Sequence, residues 1–228
     1  MITLICSNFN SAKWISGYLT SINNQLYPEF DVHFVDGGST DGSWDVIKNY
    51  KFRSGIKTKY SVRKGCSIYE AWNVGFGQAE TEYCMNFNAD DRLFPAALTV
   101  ASEYIKNDSK TDVFYSPCFI VQDERHSAFM GMHDWVEFSK EELLKNCICG
   151  PFPVVKRQAA IDVGLFNPKF TISGDYEMWL RMEANGKKFK KIPEPLGSYY
   201  LNPTGVSSDP TKFDEHVKQD TAIRRMYA

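Results

Sequence analysis

Apolar positions along the first hundred residues follow two alternating rhythms. Ile2–Cys6 is a short unbroken apolar run of the kind that fills a buried strand. Directly after it, Trp14, Ile15, Tyr18, Leu19 and Ile22 recur at the spacing of one helix face, with Ser11 placed to cap. The alternation continues with a β-rich run over Phe30–Val35, a short helix over Ser43–Tyr50 and a strand over Lys57–Val62. A helix over Ile68–Phe76 and a strand over Tyr83–Phe87 follow. Pro95 suits the first turn of a helix in which Ala97, Leu98, Ala101, Tyr104 and Ile105 share a face. Repeated β-α units predict an α/β fold: a mostly parallel central sheet, right-handed crossovers and helices on both faces.

The second half is less regular. Val113–Tyr115 and Phe119–Gln122 read as short strands, and Phe129–Met132 as their hairpin return, which adds a short antiparallel segment. Ser139 is placed to cap a helix running through Asn146, and the prolines of Gly150–Pro153 forbid helix there. Asp175–Asn185, with Gly186 beyond it, reads as a buried helix. Asp209-Pro210 opens a terminal amphipathic helix whose Phe213, Val217, Ile223 and Met226 could serve a dimer, a lipid-linked acceptor at the membrane or the core, the core being the first expectation. No linker, repeat or composition shift divides the chain, so residues 1–228 are expected to form one domain.

Composition mainly excludes. With 43% hydrophobic and 24% charged residues, the chain can bury a core and is not a disordered tail. Its 26 Lys+Arg against 28 Asp+Glu give a net charge of -2, which argues against a nucleic-acid partner held by an overall cationic surface. No run of about 18 apolar residues is present, so no bilayer-spanning helix is expected. The N-terminus has no cationic segment before its apolar run, so no signal peptide is expected either. The six cysteines lack paired ligand spacing and read as reduced, mostly buried thiols; a cytoplasmic location is the expectation.

In open α/β sheets ligands bind beyond the carboxyl ends of the strands, and three predicted strand or helix ends carry unusual polar groups. The first is Val35-Asp36-Gly37-Gly38-Ser39-Thr40-Asp41-Gly42. Its glycines let backbone approach a ligand and Asp36 can accept from a base or ribose; the same residues also make a plain helix-capping turn. No G-x-x-x-x-G-K-[ST] or G-x-G-x-x-G is present, which argues against a P-loop and a dehydrogenase. The second is Phe87-Asn88-Ala89-Asp90-Asp91-Arg92, where adjacent carboxylates suit a hard divalent cation shared with phosphate oxygens, or a cap for the next helix. The third is Gly174-Asp175-Tyr176-Glu177, where a carboxylate opens a helix either as a cap or, facing a cleft, as a general base. Arg181 is near enough in sequence to orient that carboxylate or a phosphate.

In this order, Val-Asp-Gly-Gly-Ser-Thr-Asp-Gly, Asn-Ala-Asp-Asp and Gly-Asp-Tyr-Glu-Met-Trp-Leu-Arg resemble the signature of family-two glycosyltransferases of the GT-A fold. Lys64-Gly65, the segment Tyr69–Gly75 and Gly164-Leu165-Phe166-Asn167 match in kind, so the resemblance covers roughly residues 1–200. It implies an inverting transfer of sugar from a nucleoside-diphosphate sugar to an acceptor hydroxyl in polysaccharide or glycoconjugate synthesis. Residues 1–110 would then bind the donor, and residues 111–228 the acceptor, either a carbohydrate or a lipid-linked one at the inner face of a membrane. Ser7, Asn8 and Asp36 would contact the nucleoside, Arg63 and Lys64 the phosphates, and Asn73, Asn88, Ala89 and Asp90 complete the donor site. Asn88-Ala89-Asp90 stands in the place of the family's D-x-D, which makes Asp90 the first ligand and Asp91 the second for Mn2+ or Mg2+. Asp175 falls on the catalytic base. Gly37 and Gly174 stand where relatives often carry acids, and no histidine ligand is assigned around Tyr199–Ser207. A nucleotidyltransferase is the rival enzyme, but Cys6–Ser11 lacks its Gly-rich cationic loop. The substitutions at Gly37, Asn88 and Gly174 suggest the other rival, a non-catalytic sugar-nucleotide or carbohydrate-binding protein.

Overall fold

The computed structural model describes residues 1–228. The chain opens with β1 (Ile2–Asn8), α1 (Ile15–Asn23), β2 (Phe30–Asp36), α2 (Ser43–Asn49), β3 (Lys57–Val62), α3 (Ile68–Gln78) and β4 (Tyr83–Asn86). It continues through β5 (Arg92–Leu93), α4 (Ala97–Asn107), β6 (Val113–Tyr115), β7 (Cys118–Val121), β8 (Phe129–His133) and α5 (Lys140–Lys145). The last part holds β9 (Val154–Lys156), α6 (Arg157–Asp162), α7 (Gly174–Ala184), β10 (Phe189–Lys191), β11 (Gly197–Tyr200) and α8 (Phe213–Tyr227). These make a seven-stranded sheet in the order β10-β6-β9-β4-β1-β2-β3 and a four-stranded sheet in the order β5-β11-β7-β8.

The large sheet is parallel except for β9, which inserts antiparallel between β4 and β6. Period-two alternation sends Ile2, Leu4 and Cys6 of β1 into one core cluster with α1 and α4, and Ile5 into another with α3, α6 and α7. Helix α3 lies close on the sheet because Gly75 faces Ile5. A Cβ at Gly75 would come 2.3 Å from Ile5 Cγ2. The small sheet pairs β7 parallel with β11 and antiparallel with β8, which is the expected hairpin.

Several expectations need correction. Strands β1 and β2 run on to Asn8 and Asp36, so these two polar residues face each other within the ladder. Ser11 does not cap α1: its hydroxyl bonds the Asn8 carbonyl oxygen of the side chain, and the cap position is Trp14. Ser139 does cap α5, accepting from the Glu142 N–H. On α8 only Ile223 of the four apolar positions is buried; Phe213, Val217 and Met226 are exposed. Polar bonds, not an apolar stripe, hold much of that helix in place. All six cysteines are free thiols.

Candidate functional site

A cleft of about 780 Å³ opens where the carboxyl ends of β1 and β4 meet the small sheet and the start of α7. Its first wall is the loop after β2. Asn8 Nδ2 donates to Asp36 Oδ1 at 2.7 Å, and Asp36 Oδ2 accepts from the Gly38 and Ser39 amides at 2.9 and 3.0 Å. The Ser39 hydroxyl adds a bond to Oδ1 at 2.6 Å. Asp36 is therefore consumed in shaping its own loop and is 2% exposed, while Ser7, Asn8 and Gly37 reach the cleft. Only a glycine takes the Gly38 conformation easily, with φ of +97°.

The floor is the turn after β4. Asn88, Ala89 and Asp90 all line the cleft. Asp90 Oδ2 accepts from Asn202 Nδ2 at 2.9 Å, and its main-chain carbonyl accepts from His126 Nε2 at 2.8 Å. That bond assigns the Nε2–H tautomer, so Nδ1 accepts from the Ser198 hydroxyl at 2.6 Å. Burial pushes the Asp90 carboxyl above its ordinary pKa. Asp91, expected as a second metal ligand, is sealed in the interior and does not line the cleft. One of its oxygens accepts from the Tyr200 amide at 3.1 Å and the other has no partner. Burial, reinforced by the neighbouring Asp90 charge, pushes its pKa well up.

No three His, Cys, Asp or Glu side chains converge, so a metal cage made by the protein alone is absent. The floor still fits a hard cation. The side-chain oxygen of Asn88 is buried without a partner, and beside it in sequence Asp90 brings a carboxylate to the same cleft. Such ions are commonly bound by one or two protein oxygens, with phosphate and water filling the other positions.

The far wall is the N-terminal turn of α7. The half-buried Asp175 carboxylate accepts from the Tyr176 amide at 2.9 Å and lies 3.4 Å from the Tyr69 hydroxyl, which itself bonds the Ile172 carbonyl. Burial raises the Asp175 pKa and these donors oppose the rise. Helix α8 completes this wall with His216 and Asp220. Ser173 Oγ donates to Asp220 at 2.6 Å, and Gln219 Oε1 accepts the Ile172 and Ser173 amides at 3.1 and 3.3 Å. The C-terminal helix thus clamps Ile172 and Ser173, which lead into Asp175.

Other expected residues fall outside the cleft. Asn73 uses its whole amide on the Phe166 backbone, donating at 2.7 Å and accepting at 2.9 Å, so it ties α3 to a loop. Arg63 and Lys64 are exposed at its rim, next to Gly38. Arg181 orients neither base nor phosphate: it pairs with Glu177 at 2.8 Å and bonds the Val163 and Leu165 carbonyls. Sequence reasoning missed Asn202, His126 and Gln219. Asn202 and His126 reach Asp90 across 112 and 36 residues, and no local pattern marks them.

The sequence pattern described as "Glycosyl transferase family 2" matches residues 3–161, ending before α7. The chondroitin synthase of Pasteurella multocida strain Pm70 is 25% identical over 193 residues, covering 84% of this chain and 20% of that protein. An uncharacterized glycosyltransferase of Methanocaldococcus jannaschii is 24% identical, covering 88% of this chain and 71% of its own. The chain spans about a fifth of the longer synthase. Among solved structures, S. aureus TarS 1-349 in complex with UDP-GlcNAc superposes with a TM-score of 0.79 at 19% identity, over 97% of this chain and 66% of that one. The mannosyltransferase PcManGT from Pyrobaculum calidifontis, in complex with GDP-Man and Mn2+, gives a TM-score of 0.74 at 18% identity, over 97% and 63%. Both have this α/β fold with a mostly parallel central sheet. The family pattern covers well over half of the sequence, and the chain belongs to glycosyl transferase family 2.

Proposed function

We propose that this chain is an inverting glycosyltransferase, moving a sugar from a nucleoside-diphosphate sugar to an acceptor hydroxyl in polysaccharide or glycoconjugate synthesis. One observation carries the reading: a carboxylate with a raised pKa, Asp175, shares a single cleft with the oxygen donors Asn88 and Asp90. In the reaction, Asp175 takes the proton of the acceptor hydroxyl as its oxygen bonds the anomeric carbon. The bond from that carbon to the diphosphate oxygen breaks on the opposite side, so configuration inverts. The cleft contributes by bringing both substrates together.

Asn88 Oδ1 and Asp90 would hold a divalent metal, Mn2+ or Mg2+, which when bound neutralises charge on the leaving diphosphate. Ser7, Asn8 and Gly37 would meet the nucleoside on the loop that Asp36 shapes, with Arg63 and Lys64 near its rim. The two structural neighbours hold different bases, so the donor class carried over is the nucleotide sugar and no narrower. No helix is long and apolar enough to cross a membrane. The acceptor is a carbohydrate, free or lipid-linked.

The test is a panel of nucleotide sugars and saccharide acceptors with and without Mn2+, read by release of nucleoside diphosphate and by the anomeric configuration of the product. Turnover with inversion supports the reading. Tight nucleotide binding with no turnover on any donor makes this chain a binding protein instead.

A further inference from the structure

The chain carries a net charge of -2, yet between residues 46 and 69 it holds seven cations and no acid. These are Lys48, Lys51, Arg53, Lys57, Lys59, Arg63 and Lys64, and all seven are exposed. The rest of the chain is correspondingly net -9. Only Lys48 has an ion-pair partner, Asp45 at 2.9 Å. Across the ladder, Asp31 stands opposite Lys57 and is the acid facing this strip from the neighbouring strand. A lysine or two suffices to keep an edge strand from pairing with another chain. The six cations without an ion-pair partner repel one another and exceed that need.

Their placement is ordered. Strand β3 is the edge of the large sheet, six residues and ~20 Å long, and its cations continue back to the end of α2. Exposed apolar side chains lie along the same edge: Val46 on α2 and, on the face of β3 opposite to Lys57 and Lys59, Tyr60 and Val62, at 41%, 39% and 54%. At its carboxyl end the strip reaches the cleft mouth, where the Gly65 amide donates to the Gly37 carbonyl at 2.9 Å and Gly37 lines the cleft.

We propose that this basic edge is a docking surface for an anionic membrane, with phosphate headgroups between the cations and the apolar side chains entering the interface. The charge of the two partners is complementary, and the acidic remainder of the molecule orients the chain by repulsion from the same surface. Apolar groups exposed along the same edge as the cations favour a bilayer over a soluble polyanion, which offers them nothing to enter. Docking there sets the cleft mouth beside the headgroups, within reach of an acceptor carried by lipid.

The experiment is vesicle flotation of the full chain with phosphatidylcholine alone and with phosphatidylcholine containing about one-third phosphatidylglycerol. The wild type partitions onto the anionic vesicles only, and loses them near about 0.5 M salt, where surface charges are screened. The triple variant K51E/K57E/K59E, checked for an unchanged melting curve and nucleotide affinity, partitions roughly a hundredfold less. Equal partition of wild type onto both vesicles, or of variant and wild type onto the anionic ones, overturns the proposal. So does tight binding to soluble polyphosphate without any binding to vesicles. Neither donor nor acceptor enters this assay, so its outcome is independent of whether the chain transfers sugar.

Discussion

Asp175 combines two properties that a general base needs, access to a cleft and a carboxyl held above its ordinary pKa by burial. The sign of the stability effect follows. Folding favours the protonated form, so the carboxylate costs stability increasingly as pH rises from the unfolded value through the raised folded one. Asp175→Asn keeps the shape and removes both the charge and the base. At neutral pH we expect its melting temperature to rise by a few degrees while transfer falls by about 10²–10⁴, with nucleotide affinity unchanged. Transfer equal to wild type refutes the base. The wild-type rate itself should fall on the acid side through a pKa above the ordinary value of an aspartate, and a titration at the ordinary value counts against Asp175. The floor makes a second pair of residues separable. Asp90→Asn should weaken Mn2+ affinity in the presence of nucleoside diphosphate by tenfold or more, whereas Asp91→Asn, inside the protein, should leave it alone. A calorimetric titration in which Asp91→Asn is the damaging change reverses that assignment.

At the scale of elements, glycine fixes how closely the pieces approach. Helix α7 begins at Gly174, where a Cβ would lie 2.9 Å from the Tyr69 ring, the same ring whose hydroxyl anchors Ile172 and faces Asp175. Gly174→Glu, the acid that the family resemblance leads one to expect there, should push Tyr69 aside and lower both the melting temperature and transfer; a rise in transfer with an unchanged melting curve contradicts this packing. The steric reason could not be read from the motif, which shows only a missing acid. Most of the first half was legible because its signals are local. The apolar run of β1, the helical spacing of α1 and the turn chemistry after β2 each lie within a few residues of one another. Strands β9, β10 and β11 were not legible, being three or four residues long and defined by distant partners. Val154–Lys156 pairs with both β4 and β6, and Phe189–Lys191 carries two lysines that read as surface. The fourth side of the site was hidden for the same reason: Asn202 follows β11 and touches Asp90 only after both sheets form. The motifs located Asp90 and Asp175, but periodicity could not tell that Asn73 is spent on a backbone clamp or that α8 leaves most of its apolar positions exposed.

Across the whole molecule, the family pattern ends at residue 161, yet the proposed base, Asp175, and the helix that steadies it lie beyond that point. Helix α8 returns from the C-terminus to α7 through side-chain bonds: Tyr227 to Glu177 at 2.7 Å, Ser173 to Asp220 at 2.6 Å and the Gln219 clamp. Gln219 is 7% exposed and fully engaged, donating to Thr171 Oγ1 and Glu215 at 2.9 and 3.0 Å while accepting from two amides. Removing it strands the Ile172 and Ser173 amides inside the protein, at a cost of about 1–3 kcal/mol. The donor side of the cleft, built on β1, β2 and β4, touches none of these atoms. Gln219→Ala should therefore lower kcat tenfold or more and hydrogen-exchange protection at residues 171–175, while nucleoside-diphosphate affinity stays within about twofold of wild type. Loss of nucleotide affinity in step with kcat would mean that α8 supports the whole fold and not the base in particular.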